Sequence, residues 1–274
     1  MNTPAPFRLY PGTRPLLVSM PHVGTFVPAQ LASRLTGDAL KFPDTDWHLE
    51  RLYDFAGALG ASVLVATHSR YVIDLNRPPD DRNLYPGQDT TGLCPIDTFD
   101  RLPLYRAGGV DDDEIRARRA AVYDPYHAAL RAELDRMRAL HGSVVLWDAH
   151  SIRSVVPRFF DGRLPDFNLG TADGANCDSR MAGQVLAIAR RAAGHSSVLN
   201  GRFTGGHITR HYGSPAQHVH AIQLEMAQCI YMDEQYPFDY VPALATQLQP
   251  HLRDMLEAAL HFVERAAVAC KGQP

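Results

Sequence analysis

A chain of 274 residues, 45% hydrophobic and 21% charged, has the makeup of an ordinary folded protein with enough apolar residues for a substantial core. Its net charge of -3 comes without a basic stripe or any interleaving of Arg and Lys with aromatics, which argues against a nucleic-acid partner. No apolar run reaches the roughly 18 residues of a membrane span, and the opening MNTPAPFRLYPG carries three prolines and no secretory apolar stretch, so a cytoplasmic protein is expected, folded as a single domain over 1–274.

The first predicted strand is PLLVSM (15–20), which stops at Pro21, His22, Val23 and Gly24. TDWHLERLYDFAGALG (45–60) reads as a helix with Trp47, Leu52, Phe55 and Leu59 on one stripe and Asp44 or Thr45 as its N-cap. SVLVAT (62–67) and YVIDL (71–75) are two further strands, the second ending at Asn76, Arg77 and two prolines. Residues 76–110, rich in Pro, Gly, Asp and Asn, form a long ordered loop of the kind that is usually functional. Residues 111–142 start in acids and end in Arg and His before Gly142, which predicts one long helix kinked at Pro125. SVVLWDA (143–149) is a strand that delivers His150 and Ser151, and 152–176 is a second long loop. A helix near 178–193, the strand HAIQLEM (220–226) with Glu225 inside it, and a helix over 242–268 complete the chain. Apolar strands alternating with helices specify an α/β fold with a largely parallel, buried central sheet.

Ligands of open α/β sheets bind outside the carboxyl ends of the strands. There the chain places His22, His150, Asn76 and Arg77, with Glu225 nearby. Two neutral imidazoles and a carboxylate are the usual ligands of a hydrolytic zinc site, and a further Glu serves as general base. His22 and His150 supply the imidazoles, and Asp46 is the preferred carboxylate, with Asp44 and Glu50 as rivals. Asp46 is equally well read as only a helix cap, and either histidine as a hydrogen-bonded structural residue. Glu225 lies between Leu224 and Met226, where an unpaired carboxylate is costly to bury, and catalysis explains its presence. Asp148 shares a strand face with His150. Ser151 has no G-x-S-x-G elbow around it, which disfavours a serine nucleophile, and His207, His211, His218 and His220 are read as surface or loop residues. Arg70 and Arg77 flank a buried segment, and arginine suits bidentate recognition of a carboxylate, so a small anionic substrate is expected. Cys94, Cys177, Cys229 and Cys270 are widely spaced without a CxxC pair and are expected as reduced thiols.

DLNR (74–77), a His after the first strand, DAH (148–150) and a late strand Glu resemble the zinc carboxypeptidase superfamily with its aspartoacylase-like and succinylglutamate desuccinylase-like relatives. SMPHVGTFVP, DTDWHLERLYDF, SRYVIDLNRPPD, LPDFNLGTADGANCD, GGHITRHYGSP and HAIQLEMAQCIYM resemble, in order, the N-formylglutamate amidohydrolase family. The resemblance implies a three-layer fold with a mixed, largely parallel sheet between helices and one zinc ion per chain. It also implies His22 and His150 as ligands, Glu225 as general base, and release of formate from N-formyl-L-glutamate in bacterial histidine degradation. The superfamily places a Glu ligand three residues after the first His, but position 25 is Thr25, so Asp46 rests on its position alone. The same resemblance assigns Asn76 and Arg77 to the α-carboxylate and Arg70 to the scissile carbonyl or a carboxylate. Arg158, Asn168 and Arg210 are then candidates for the side-chain carboxylate. Rival readings are another acyl-amino-acid deacylase or small carboxypeptidase of the superfamily, and a non-catalytic ligand- or metal-binding protein.

Overall fold

The computed structural model describes residues 3–271. Seven strands, β1 (Phe7–Tyr10), β2 (Leu16–Met20), β3 (Ser62–Ala66), β4 (Val144–Ile152), β5 (Phe167–Gly170), β6 (Ser197–Leu199) and β7 (Val219–Ala227), form one sheet in the order β1-β3-β2-β4-β7-β5-β6. β3, β2, β4 and β7 run parallel, β1 pairs antiparallel with β3, and β5 pairs antiparallel with β7 while running parallel to β6. The sheet is therefore mixed and largely parallel, as its apolar central strands predict.

Helices are α1 (Ala29–Ala32), α2 (Leu49–Leu52), α3 (Asp112–Arg118), α4 (Asp124–His141), α5 (Ser179–Arg191), α6 (His207–Tyr212) and α7 (Pro242–Lys271). They make a layer on each face. One core joins the sheet to α2, α5 and α7 through Trp147, Ile222, Leu224, Val185 and Leu252. The other joins it to α4 and α6 through Leu146, Ala221, Leu130 and Ile208. Side chains alternate across a strand, and the two faces of β4 differ. Val145, Trp147 and Ala149 stay in the first core along the strand, whereas the opposite face changes from Val144 and Leu146 to Asp148 and His150. β7 does the same: Ile222, Leu224 and Met226 remain apolar, while Ala221 gives way to Gln223 and Glu225. One face holds the strands in the sheet, each buried Leu or Ile contributing about 2 kcal/mol. The other face is thereby free to carry chemistry.

Several segments differ from the sequence-based expectation. Residues 71–75 form no strand: Val72 N turns back to Ser69 O at 2.8 Å, and Asp74 N bonds Leu93 O at 2.7 Å. The run is apolar because Tyr71, Val72, Ile73 and Leu75 plug the second core, and hydrophobicity reports burial rather than strand pairing. Residues 45–60 are not one helix but α2 followed by a single 3₁₀ turn at Asp54–Ala56. The amino-terminal part is pulled out of helical geometry by Asp46 N donating to His22 O at 3.1 Å and by His48 at φ 64°. Neither Asp44 nor Thr45 caps it. Between α3 and α4 the chain makes a π-helical segment, Arg119–Tyr123, so the irregularity falls just before Pro125, which sits in the first turn of α4. The loop expected over 152–176 contains β5, and the edge strands β1 and β6, of four and three residues, are too short to show a periodic pattern.

Asp111 caps α3 by accepting from Glu114 N at 2.8 Å, Asp178 caps α5 through Arg180 N, and Gly142 closes α4 at φ 81°. Cys94, Cys177 and Cys229 are free thiols; the Cys270 side chain lies outside the described residues. Among the described residues no helix is long and apolar enough to cross a membrane.

Candidate active site

The carboxyl ends of β2, β4 and β7 meet one cavity lined by His22, Asp46, Arg70, Asn76, Arg77, His150 and Glu225. His22 sits in the turn after β2. That turn is tight because Gly24 packs on the chain at His68, where a Cβ would lie 2.4 Å from the His68 carbonyl oxygen. His150 and Asp148 project from β4, and parallel pairing with β7 sets Glu225 beside His150 and Gln223 beside Asp148.

Asp46 stands between the two imidazoles. Its Oδ2 lies 3.0 Å from His150 Nδ1 and 3.8 Å from His22 Nδ1, and it also accepts from Ser151 N at 3.3 Å. The opposite nitrogen of each ring meets another carboxylate: His22 Nε2 is 2.7 Å from Asp74 Oδ1, and His150 Nε2 is 3.1 Å from Asp148 Oδ1. Each ring is thus oriented from behind, leaving both Nδ1 atoms toward the shared Asp46. The rings' centroids are 4.8 Å apart and all three side chains are buried. Buried histidines held on carboxylates with their other nitrogens converging on a third carboxylate could hold a divalent cation, and such outer carboxylates orient ligand imidazoles.

The two imidazoles sit in different fields. Burial alone disfavours a charged His150, yet Asp148 and Asp46 outweigh it and hold the imidazole well above its ordinary pKa. His22 goes the other way, lowered by burial and by Arg70. Asp74 is fully buried, and although burial opposes it, His22, Arg70 and Arg77 hold its carboxyl well below the usual range. Its Oδ2 accepts from Arg70 at 2.6 Å, while Oδ1 also accepts from Asn76 N at 2.8 Å. Glu225 is the contrary case: burial, with repulsion from Asp46 and Asp148, pushes its carboxyl up to about 8 against the attraction of His150 and Arg70. Among the described residues its side chain accepts one hydrogen bond, from Gln223 Nε2 at 3.0 Å from Oε2. A protonatable carboxyl beside a cation-seeking cluster marks a candidate acid-base group.

Asp44 and Glu50, the rival carboxylates, lie elsewhere. Asp44 accepts from the Tyr71 hydroxyl at 2.7 Å and from Phe99 N at 2.9 Å, and burial raises it to about 6; it anchors the long loop. Glu50 forms a partly exposed pair with Arg8. The Ser151 hydroxyl accepts from Tyr231 at 2.7 Å and is no activated nucleophile.

Asn76 reaches the cavity, but its amide is already engaged. Nδ2 faces His150 Nε2 at 2.9 Å and Oδ1 accepts from Ile208 N at 2.7 Å, which ties α6 to the cluster. Gly206 permits that approach, since a Cβ there would lie 2.4 Å from Asn76 Nδ2. Arg77 lines the cavity and is steadied by Thr91, with Nε 2.7 Å from its carbonyl oxygen. Three expected substrate contacts are not brought there. Arg158 is taken up by Asp97 at 2.7 Å and by Asp89 at 3.1 Å, in the loops around the mouth. Arg210 bonds Gly205 O and Thr204, and Asn168 donates to Pro165 O and to the Glu225 carbonyl, bracing the strand that carries Glu225. Sequence reasoning missed Asp74, Gln223 and Arg202. Asp74 opens the DLNR motif and Gln223 precedes Glu225 by two on the same strand face, so both had a signal; Arg202, in the turn after β6, had none.

Two imidazoles sharing one carboxylate, each backed by another, with a carboxyl group in register beside them at the carboxyl edge of an α/β sheet, have the layout of a hydrolase site that could hold a metal ion. A sequence profile of N-formylglutamate amidohydrolase matches residues 14–232. The N-formylglutamate deformylase of Pseudomonas aeruginosa is 56% identical over 250 residues, covering 91% of this chain and 94% of the relative, and that of Pseudomonas putida is 53% identical over 250 residues, covering 91% and 93%. The crystal structure of N-formylglutamate amidohydrolase from Ralstonia eutropha superposes with a TM-score of 0.79 at 27% identity, covering 95% of this chain and 98% of that one. A gene product of Agrobacterium tumefaciens shares the fold with a TM-score of 0.72 at 19% identity, covering 94% and 96%. The chain belongs to the N-formylglutamate amidohydrolase family.

Proposed function

We propose that the protein hydrolyses N-formyl-L-glutamate to formate and L-glutamate, as one catalytic domain over residues 1–274. The observation that carries this reading is the register of β4 with β7, which sets Glu225 directly beside His150 at the edge of the buried His22–Asp46–His150 cluster. Membership of the family and the names of the Pseudomonas relatives support the substrate.

His22, Asp46 and His150 would hold one zinc ion. When bound it supplies Lewis-acid activation of water and of the formyl carbonyl. Its charge would oppose the burial and the two aspartates that raise the Glu225 carboxyl, bringing it down into the range of a working base. Glu225 takes a proton from the attacking water as the new C–O bond forms. It then returns that proton to the amide nitrogen as the C–N bond breaks, so that glutamate leaves with a neutral amine. Arg70, fixed by Asp74 at 2.6 Å and stacked 4.9 Å from the Phe99 ring, presents positive charge to the oxyanion, an interaction worth roughly 3 kcal/mol in comparable sites. Asn76 positions His150 and α6, and Arg77 meets the α-carboxylate.

The test is formate release from N-formylglutamate by purified protein, before and after chelation and with zinc restored. Turnover that falls with chelator and returns with zinc is expected. Unchanged turnover after complete metal removal refutes the metal role, and turnover of succinylglutamate in preference to the formyl compound refutes the substrate.

A further inference from the structure

Arg202 is a cavity-lining arginine that neither the metal cluster nor the loop ion pairs employ. Arg70, Arg118 and Arg158, whose side chains are buried, have carboxylate partners in Asp74, Glu114 and Asp97. Arg202 has none among the described residues. Its Nε donates to the Phe159 carbonyl oxygen, which fixes the direction of the fork, and its guanidinium lies 5.1 Å from the Phe203 ring and 5.6 Å from that of Tyr85. Its remaining N–H donors have no acceptor among the described residues, and the side chain lines the cavity. Burial, with Arg77 as a like charge, lowers the Arg202 pKa, so this corner of the cavity bears positive charge at an electrostatic cost. Withdrawn cations kept without protein counter-ions are stabilised by an anionic ligand, and two of them, Arg77 and Arg202, match a ligand with two carboxylates.

We propose that Arg202 is a specificity-determining residue, binding the side-chain carboxylate of a dianionic acyl-amino acid while Arg77 takes its α-carboxylate. The assignment rests on the hydrolysis proposed above. The aromatic setting suits the role: a planar guanidinium held against rings presents its edge to a carboxylate in a fixed plane. The neutral amide isostere, N-formylglutamine, would leave Arg202 desolvated and unpaired, and sites built around such a group reject the analogue lacking it.

Two measurements decide the matter. The ratio of kcat/KM for N-formylglutamate over N-formylglutamine is expected to be about a hundredfold or more in the wild-type protein, falling to within about threefold in Arg202→Gln, mainly through KM. Arg202→Lys, which keeps the charge but not the fork, should lie between. An unchanged ratio overturns the proposal, as does an equal loss on both substrates, the mark of a purely structural role. Calorimetric titration with glutarate, a dicarboxylate that needs no turnover, and with the monoanion butyrate provides the second reading. Glutarate should bind the wild-type protein at least about tenfold more tightly than it binds Arg202→Gln, with butyrate insensitive to the change. Failure of the wild-type protein to bind glutarate, or equal affinity in both proteins, overturns the assignment. A wild-type protein that binds glutarate in this way but releases no formate instead counts against the proposed reaction alone.

Discussion

Asp74→Asn removes one charge and almost no volume. In the folded protein Oδ1 of Asp74 accepts from His22 Nε2 at 2.7 Å and Asn76 N at 2.8 Å, and Oδ2 accepts from Arg70 at 2.6 Å. Three donors converge on two oxygens, and an asparagine has only one. If its NH2 replaces Oδ1, two donors lose their partner; if it replaces Oδ2, a donor faces the Arg70 guanidinium. The second arrangement costs less, but it leaves a buried arginine whose other polar contacts among the described residues are the Asp44 carbonyl at 3.3 Å and Asp46 at 3.9 Å. Breaking a buried pair in this way costs about 3 to 5 kcal/mol, which in a protein of this size lowers the melting temperature by on the order of 10 °C. Because His22 also loses its orienting carboxylate, metal affinity should fall by about 10- to 100-fold. Urea unfolding measures the first effect, and competition with a chromogenic chelator the second. A loss of stability under about 1 kcal/mol together with unaltered metal affinity would refute the argument.

Glu225→Gln should lower kcat by about two to four orders of magnitude with little change in glutarate binding; wild-type turnover by the variant would remove Glu225 from the chemistry. Asp46→Ala should lose bound metal on dialysis while Glu50→Ala retains it, since Glu50 pairs with Arg8 at the surface; elemental analysis distinguishes them, and full metal in Asp46→Ala would disqualify it as a ligand. Acid should destabilise the fold through His127. Burial, with His207 as a like charge, depresses its pKa to about 3, and its nitrogens lie 2.9 Å from the Tyr212 hydroxyl and from Leu75 O. The unfolded chain protonates it below about pH 6.5 and the folded chain does not, so stability is complete above that pH and declines as pH falls toward 3. Between pH 7.5 and 5 the loss is about 2 kcal/mol from this residue, measurable as a shift in urea midpoint. A midpoint independent of pH over that interval, or an identical slope in His127→Gln, contradicts this account.

The centre of the fold was legible because β2, β4 and β7 are buried on both faces, and such strands read as continuous apolar runs. Their ends then pointed to His22, His150 and Glu225. The same logic misled at residues 71–75, where apolar side chains fill a core without pairing into the sheet. It misled again at 45–60, whose helical periodicity is real in Leu52, Phe55 and Leu59, all buried, but whose amino-terminal residues are held out of the helix by contacts with His22 and His150. Such contacts bridge distant parts of the chain and leave no local pattern. Arg158 and Arg210 were candidates because arginine binds carboxylates, and the protein's own acceptors satisfy both. Composition cannot tell an arginine that has a partner inside the protein from one that lacks it. Arg202 is of the second kind, and only packing reveals it.

The parallel pairing of β4 with β2 on one side and β7 on the other has a kinetic consequence. His150 meets Asp46 across 104 residues of chain, and His22 meets Asp74 across 52. Contacts of such long range close late, after the loop entropy between them has been overcome. The cluster's three members lie at positions 22, 46 and 150, so it forms only when β2 and β4 are brought together. A nascent chain holds the three cluster residues once β4 has been made, but it gains Glu225 beside His150 only when β7 pairs with β4.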